Sequence, residues 1–296
     1  MAVAEQQEKA VLREPAGWRR TKNRIVTVLM VLSFVVVIIP LGFVLFTVII
    51  KGASVISGSF LTSAIPFNVA PASEGGIGPA VLGTIEITAL ATAIAVPLGV
   101  LGAVYLNEYG GKGPLARLIA FMSDVMTGVP SIIMGLFIFS IWVLHFGFSG
   151  LAGAFALACL MLPIVISSSY EILKLVPNGL REGSYALGAT KARVTLTVVL
   201  PAALGGIVSG ALLAVARAAG ETAPLLFTIL TVTTANPNVF VGANTSLPSQ
   251  IFVNASSPYT GAQARGWGAA LTLIVIALVL MLAARFVTAR FARYSR

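Results

Sequence analysis

Between Arg24 and Lys51 the chain runs from Ile25 to Ile50 without a single ionisable side chain. At about 1.5 Å per helical residue this run is long enough for the roughly 30 Å of a bilayer's hydrocarbon core. It is also longer than the roughly 7–15 apolar residues of a secretory signal, so the sequence predicts a retained membrane anchor. The rest of the chain agrees: of 296 residues 57% are hydrophobic and only 10% charged, more apolar surface than a water-soluble shell can cover. The sequence therefore predicts an all-α, polytopic membrane protein.

Six spans are predicted, at about residues 25–50, 81–106, 118–144, 150–170, 203–230 and 267–285. No Asp, Glu, Lys or Arg occurs between Asp124 and Glu171, which leaves room for two crossings, and Gly147-Phe148-Ser149-Gly150 supplies turn residues for a tight outside hairpin between the third and fourth. An even number of spans puts both termini on the cytoplasmic side. Arg13, Arg19, Arg20, Lys22, Arg24, Lys112, Arg117, Lys174, Arg181, Lys191, Arg193, Arg285, Arg290, Arg293 and Arg296 then lie inside, whereas the outside loops receive only Lys51 and Arg265. This is the positive-inside distribution. It explains the net charge of +9 without nucleic acid, since the cations follow the membrane boundaries and form no continuous stripe.

The organisation is a basic cytoplasmic segment, 1–24, followed by one membrane domain, 25–296, with membrane lipid as its solvent. Two outside segments, 51–79 and 231–266, are rich in turn residues and predicted to hold short helices. The cytoplasmic segment 171–201 is more helix-friendly. Cys159 is the only cysteine, so no internal disulfide can form. His145 has no neighbours at metal-ligand spacing, and no metal site is predicted. Asn244 and Asn254 fit glycosylation sequons, a short pattern to which no function is assigned.

The stretch from Glu182 to Pro201, EGSYALGATKARVTLTVVLP, gathers Glu182, Lys191 and Arg193 in a chain short of charge. A solvated surface helix would account for the charges alone. The spacing says more. Glu182-Gly183-Ser184, three residues, Gly188, nine residues, then Val198, Leu200 and Pro201 resembles the cytoplasmic signature of prokaryotic ABC importer permeases, in which Glu-Ala-Ala is followed by Gly and then Ile-x-Leu-Pro. The resemblance implies the type I ABC importer permease fold and a short coupling helix that docks on an ATPase subunit. Gly188 would permit a sharp turn, Gly183 and Ser184 a close approach, and Glu182 a charged anchor. Gly-x-x-x-x-Gly-Lys-Ser/Thr is absent, because Gly111-Lys112 is followed by Gly113 and preceded at the first glycine position by Leu106. The chain is thus expected to be no enzyme and to bind no cofactor, with ATP and Mg held by partner ATPase subunits.

A second signal lies in the fifth predicted span. Counting from Ala203 places Arg217 about 20 Å from the cytoplasmic side, where an arginine costs about 2.5–3.5 kcal/mol even on the lenient insertion scale. Such a residue is expected to face a polar cavity or a partner. Glu221 follows four residues later, on the same face of an unbroken helix, and can pair with it. An ion pair that orients two helices is one reading. The other is a ligand site: a guanidinium suits an oxyanion, and a carboxylate accepts a hydrogen bond from a ligand that still carries a proton, as phosphate does near neutral pH and sulfate does not. Gly220 and Pro224 offer a place for the helix to open. Glu86, near the outside end of the second span, is a further pathway candidate, while Asp124 fits a helix-end role.

The stretches 75–88, 96–109, 124–137, 217–228 and 247–252, together with the coupling signature, resemble the permeases of the phosphate-specific ABC importer, and the continuation Gly220-Glu221-Thr222-Ala223-Pro224 resembles one of its two permeases more than the other. The resemblance implies a homologous second permease, an ATPase dimer and an extracytoplasmic phosphate-binding protein as partners, and Arg217, Glu221 and Glu86 as pathway residues. From the residues alone three alternatives stay open: a permease for sulfate or molybdate, an ion-driven secondary transporter or channel, and a regulatory membrane scaffold.

Overall fold

The computed structural model describes residues 17–111 and 113–291; Arg13, Lys112, Arg293 and Arg296, and the side chain of Arg290, lie outside the described residues. Among the described residues every regular element is a helix. The chain divides into two compact units, residues 1–50 and 51–296. The first carries helix α1, Gly17–Ala53, which contains the whole charge-free run and continues three residues into the second. Its side chains from Gly17 to Phe46 are exposed on every side, the pattern of a helix that faces lipid. The hydroxyls of Ser33 and Thr47 donate to the carbonyls of Leu29 and Phe43 at 2.8 Å, which satisfies them within the helix.

The second unit begins with the outside segment and its one-turn helix α2, Gly58–Thr62, capped by the Ser57 side chain. Helix α3, Gly78–Val104, crosses inward and ends in a π-helical turn, Tyr105–Tyr109. The predicted third span is bent rather than straight: α4, Pro114–Gly128, meets at 109° the arm Ser131–Phe146, which begins with α5, Ser131–Ile138. Pro130 is the cause. It has no N–H to bond the Met126 carbonyl, and it forces Val129 into an extended conformation (φ −78°, ψ 128°). A π-turn, Phe139–Val143, and α6, Leu144–Phe146, complete this arm. The hairpin follows as predicted: Gly147 takes φ +82° and Ser149 caps α7, Gly150–Lys174, by accepting from the Ala152 N–H at 3.1 Å.

On the cytoplasmic side come α8, Asn178–Ala186, and α9, Lys191–Val194, which passes through a π-turn, Thr195–Val199, into α10, Leu200–Ala219. The short α11, Ala223–Thr228, leads outward. Helix α12, Leu247–Ala255, forms in the second outside segment with a reciprocal Ser246/Ser249 cap, and α13, Thr260–Phe291, returns to the cytoplasm. Among the described residues five helices are long and apolar enough to cross a bilayer, or six if the bent α4–α5 arm is one broken span.

The second unit is held chiefly by α3 against α7. Ala91, Ala95 and Gly99 of α3 face Ala154, Leu157, Ala158, Met161 and Val165 of α7 in one buried cluster. A Cβ at Gly99 would stand 2.7 Å from Val165 Cγ1, so the close approach depends on glycine there. Small interface residues of this kind let helices pack tightly where lipid removes the hydrophobic drive. A second cluster, Ala103, Val104, Leu173, Val176, Val194, Val199, Ala203 and Ile207, closes the cytoplasmic end. Arg265 differs from its expected place in an outside loop. It lies within α13, 1% exposed, and donates to the carbonyl oxygens of Phe67, Asn68, Ala70 and Pro71 at 3.0–3.3 Å.

Candidate functional site

Arg217 stands in the last turn of α10, where the helix's negative end favours a cation. The helix stops two residues later because Pro224 can neither bond nor clear the carbonyl of Gly220. Gly220 and Glu221 turn back on the helix instead, donating their N–H groups to the carbonyls of Arg217 and Ala218 at 3.1 Å. Glu221 and Thr222 lie outside helix, and the chain resumes as α11. The local opening expected at Gly220 and Pro224 is present. The ion pair, one of the two readings of this spacing, is not: with the helix interrupted, Arg217 and Glu221 lose the four-residue register, and no salt bridge joins them among the described residues.

Both instead line one cavity of about 200 Å³. Its other walls are Met126, Thr127, Val129, Pro130 and Ser131 at the α4–α5 bend, Leu160, Met161, Pro163 and Ile164 of α7, and Ala214 and Ala218 of α10. Each wall is therefore a helix broken or loosened by a proline, Pro130, Pro163 or Pro224, which is tolerated in a membrane where backbone faces a cavity. The bend is seated by Gly135, whose absent Cβ would lie 2.6 Å from the Pro224 Cα. Arg217 is exposed and Glu221 half-buried. The cavity thus combines an apolar body, one guanidinium, one carboxylate and the hydroxyls of Thr127 and Ser131, a set able to orient a small anion. Glu86 is half-buried on α3 and Asp124 is exposed on α4, and neither lines this cavity.

Glu182, Gly183 and Ser184 ride on α8, which presents Glu182 and Gly183 to solvent. Gly188 ends the helix with φ +80°, a conformation that an L side chain rarely adopts. Its N–H donates to the Tyr185 carbonyl at 2.9 Å and that of Ala189 to Ser184 at 3.2 Å, the paired bonds of a Schellman stop. Leu187 at 89% exposed, with Leu180 and Tyr185, adds apolar surface beside Glu182. Val198 and Leu200 play another part, packing half-buried on the cytoplasmic core cluster, and Pro201 sits exposed in the first turn of α10.

Residues 95–293 match the model of the family described as "Binding-protein-dependent transport system inner membrane component". The chain is 43% identical over 278 residues to "Phosphate transport system permease protein PstA 1" of Mycobacterium tuberculosis strain CDC 1551, covering 92% of this chain and 91% of the relative. It is 42% identical over 269 residues to the "Phosphate transport system permease protein PstA" of Haemophilus influenzae, covering 88% and 92%. The chain belongs to the binding-protein-dependent transport permeases. Solved structures agree in fold. A bacterial alginate ABC transporter in complex with its pentasaccharide-bound periplasmic protein matches with TM-score 0.64 at 14% identity, over 93% of this chain and 98% of that one. An inward-facing MetNI methionine ABC transporter matches with TM-score 0.53 at 22% identity, over 75% and 94%. This permease is a multi-pass, all-α component of the prokaryotic inner membrane with the type I importer fold.

Sequence reasoning counted Arg181 only as one more inside cation and passed over Glu108. In the permease these two form a buried ion pair, Arg181 Nη2 to Glu108 Oε1 at 2.8 Å, with side chains 13% and 5% exposed. The available signal was Asn107-Glu108-Tyr109, a carboxylate at the cytoplasmic end of a span, but nothing in the linear order pairs it with a residue 73 positions away.

Proposed function

We propose that this permease forms half of the translocation pathway of an ATP-driven phosphate importer. It would pair with a homologous second permease, take phosphate from an extracytoplasmic binding protein, and couple to two ATPase subunits that hold ATP and Mg. The observation that carries this reading is the cavity in which Arg217 and Glu221 face a common space without pairing. A guanidinium left uncommitted can donate two parallel hydrogen bonds to an oxyanion. Glu221 then acts as an acceptor toward a phosphate oxygen that still bears its proton; sulfate, fully ionised, would meet the same carboxylate with repulsion. The kinship to phosphate permeases over nearly the whole chain supports the same substrate and disfavours sulfate, molybdate and ion-gradient coupling.

The walls of the cavity suit transit better than storage. Tight capture belongs to the binding protein, since a site within the pathway must release its ion. The α8 surface around Glu182, with Gly183 and Ser184 permitting close approach and Gly188 setting the stop, is the face that would dock on an ATPase subunit. Closure of the ATPase pair would move α8, and the bent and interrupted helices around the cavity would yield, exposing Arg217 to the outside and inside in turn.

The test is reconstitution of both permeases and the ATPase in vesicles, with the binding protein supplied outside and ATP inside. Labelled phosphate should accumulate only when ATP and the binding protein are both present, and excess sulfate should not compete. Uptake driven by an ion gradient without ATP, or equal transport of sulfate, would overturn the proposal.

A further inference from the structure

We infer that Glu108 and Arg181 are positioning residues of the transport cycle: a buried clamp through which movement of the α8 coupling helix reaches α3 and, through α3, the cavity wall. This inference rests on the reading of the chain as an ATP-coupled permease.

The clamp joins three elements. Arg181, in the second turn of α8, donates from Nε and Nη2 to Glu108 Oε1 at 3.2 and 2.8 Å. Its Nη1 donates to the Val176 carbonyl at 2.6 Å, and Nη2 also donates to the Leu173 carbonyl at 3.1 Å. One side chain thereby fastens the coupling helix, the cytoplasmic end of α7 and the end of α3. The same carboxylate oxygen of Glu108 accepts from Asn107 Nδ2 at 2.7 Å, which sets its direction.

The backbone beneath Glu108 is built for the purpose. The π-turn Tyr105–Tyr109, closed by Gly110 N–H to the Tyr105 carbonyl at 2.6 Å, carries one more residue per turn than an α-helix, and Glu108 points into the cytoplasmic end of the unit. Such turns concentrate at functional sites. Tyr109, the next residue, lies under Lys191, whose Nζ is 5.2 Å from the ring centroid. The coupling segment is thus tied to the end of α3 twice, by Arg181 before the Gly188 stop and by Lys191 after it. A tie on one side alone would let α8 pivot at Gly188; two ties oblige the end of α3 to follow. From there α3 packs along α7, and Leu160, Met161, Pro163 and Ile164 of α7 form a wall of the cavity that holds Arg217.

Burial makes the clamp stiff. Two exposed charges would exchange partners with water, but an ion pair taken out of water cannot part cheaply, because each charge would be left uncompensated. Arg181 is moreover the kind of cation that holds direction, its planar fork engaging four acceptors at once, Asn178 Oδ1 at 3.4 Å being the fourth.

The experiment uses the assembled complex in vesicles, normalised to the amount of complex recovered, and reads two quantities: stimulation of ATP hydrolysis by phosphate-loaded binding protein, and phosphate moved per ATP hydrolysed. Glu108→Gln keeps the shape and removes the charge; Arg181→Lys keeps the charge and removes the fork. Either variant should assemble, retain unstimulated hydrolysis, and lose about tenfold in phosphate moved per ATP. A purely structural fastening would lower recovery and leave the ratio per assembled complex at the wild-type value, which would overturn the inference. Failure of both variants to assemble would also overturn it, since the pair would then be a folding element. A wild-type complex showing no stimulation by the binding protein would refute the functional reading instead of the clamp.

Discussion

Arg217 and Arg181 are held in opposite ways. Arg181 is buried, engages a carboxylate and two backbone carbonyls, and connects elements far apart in the chain. Arg217 lies at the mouth of a helix break, beside a carboxylate that it does not touch, on the wall of a cavity. Both cations are costly in or near a membrane. One cost is offset by fixed protein partners, and that guanidinium can only hold. The other is left to be offset by a visiting anion, and that guanidinium can bind and let go. Arg265 falls with the first kind, its donors spread over four carbonyls of the outside segment.

Arg265, whose partners lie in the outside segment far from the coupling helix, and Arg217 should therefore fail differently when replaced. The largest effect is expected at Arg265→Leu: the carbonyls of Asn68 and Ala70 lose their donor, while those of Phe67 and Pro71 keep the N–H groups of Ala70 and Glu74. At about 1–3 kcal/mol for each of these two groups left without a donor, stability should fall by about 2 kcal/mol or more. Thermal unfolding of the purified permease should show it, while phosphate transported per surviving complex stays unchanged. Arg217→Gln should reverse the pattern. Loss of a charge-assisted contact worth about 1.5–3 kcal/mol predicts a roughly 10- to 100-fold fall in labelled phosphate uptake, with unfolding unaffected. A stability loss as large as that of Arg265→Leu would place Arg217 among the committed arginines and remove it from the pathway.

Gly188→Val tests the hinge between the two regions. A branched side chain at φ +80° costs about 1–2 kcal/mol, so the Schellman stop should open and binding-protein-stimulated ATP hydrolysis should drop severalfold while membrane insertion continues. Wild-type stimulation in this variant would mean that the shape of the turn is irrelevant to docking. The smallest effect belongs to Glu86→Gln. Glu86 does not line the cavity, and uptake within twofold of wild type is expected. A tenfold fall would extend the pathway along α3 to its outside end.

Hydropathy and charge made most of the architecture legible. The charge-free run 25–50, the crossings near 81–106, 150–170 and 267–285, the Gly147–Gly150 hairpin and short helices in both outside segments all appear where the residues put them. The Pro224 break was also readable, because a proline acts on the carbonyl four residues before it whatever surrounds it. The α4–α5 bend was not read, although Pro130 carries the same chemistry; an apolar window averages over a proline and reports one span. In the coupling signature Gly188 takes the sharp turn that a glycine permits and Glu182 is exposed on α8, yet Leu200 and Val198 pack half-buried against the cytoplasmic core.

What the sequence determined by itself is the set of properties that depend on neighbours in the chain: which segments prefer lipid, which side of the membrane their flanking cations keep to, and where proline or glycine interrupts a helix. The tertiary structure alone decided which charges meet. Glu108 and Arg181, 73 residues apart, become partners, and Arg265 finds carbonyls nearly 200 residues earlier, while Arg217 and Glu221, only four apart, do not pair. Lipid selects spans by local transfer free energy, but the pairing of charges is settled by how the spans pack, and small residues such as Gly99 and Gly135 set that packing through contacts with distant backbone and side chains.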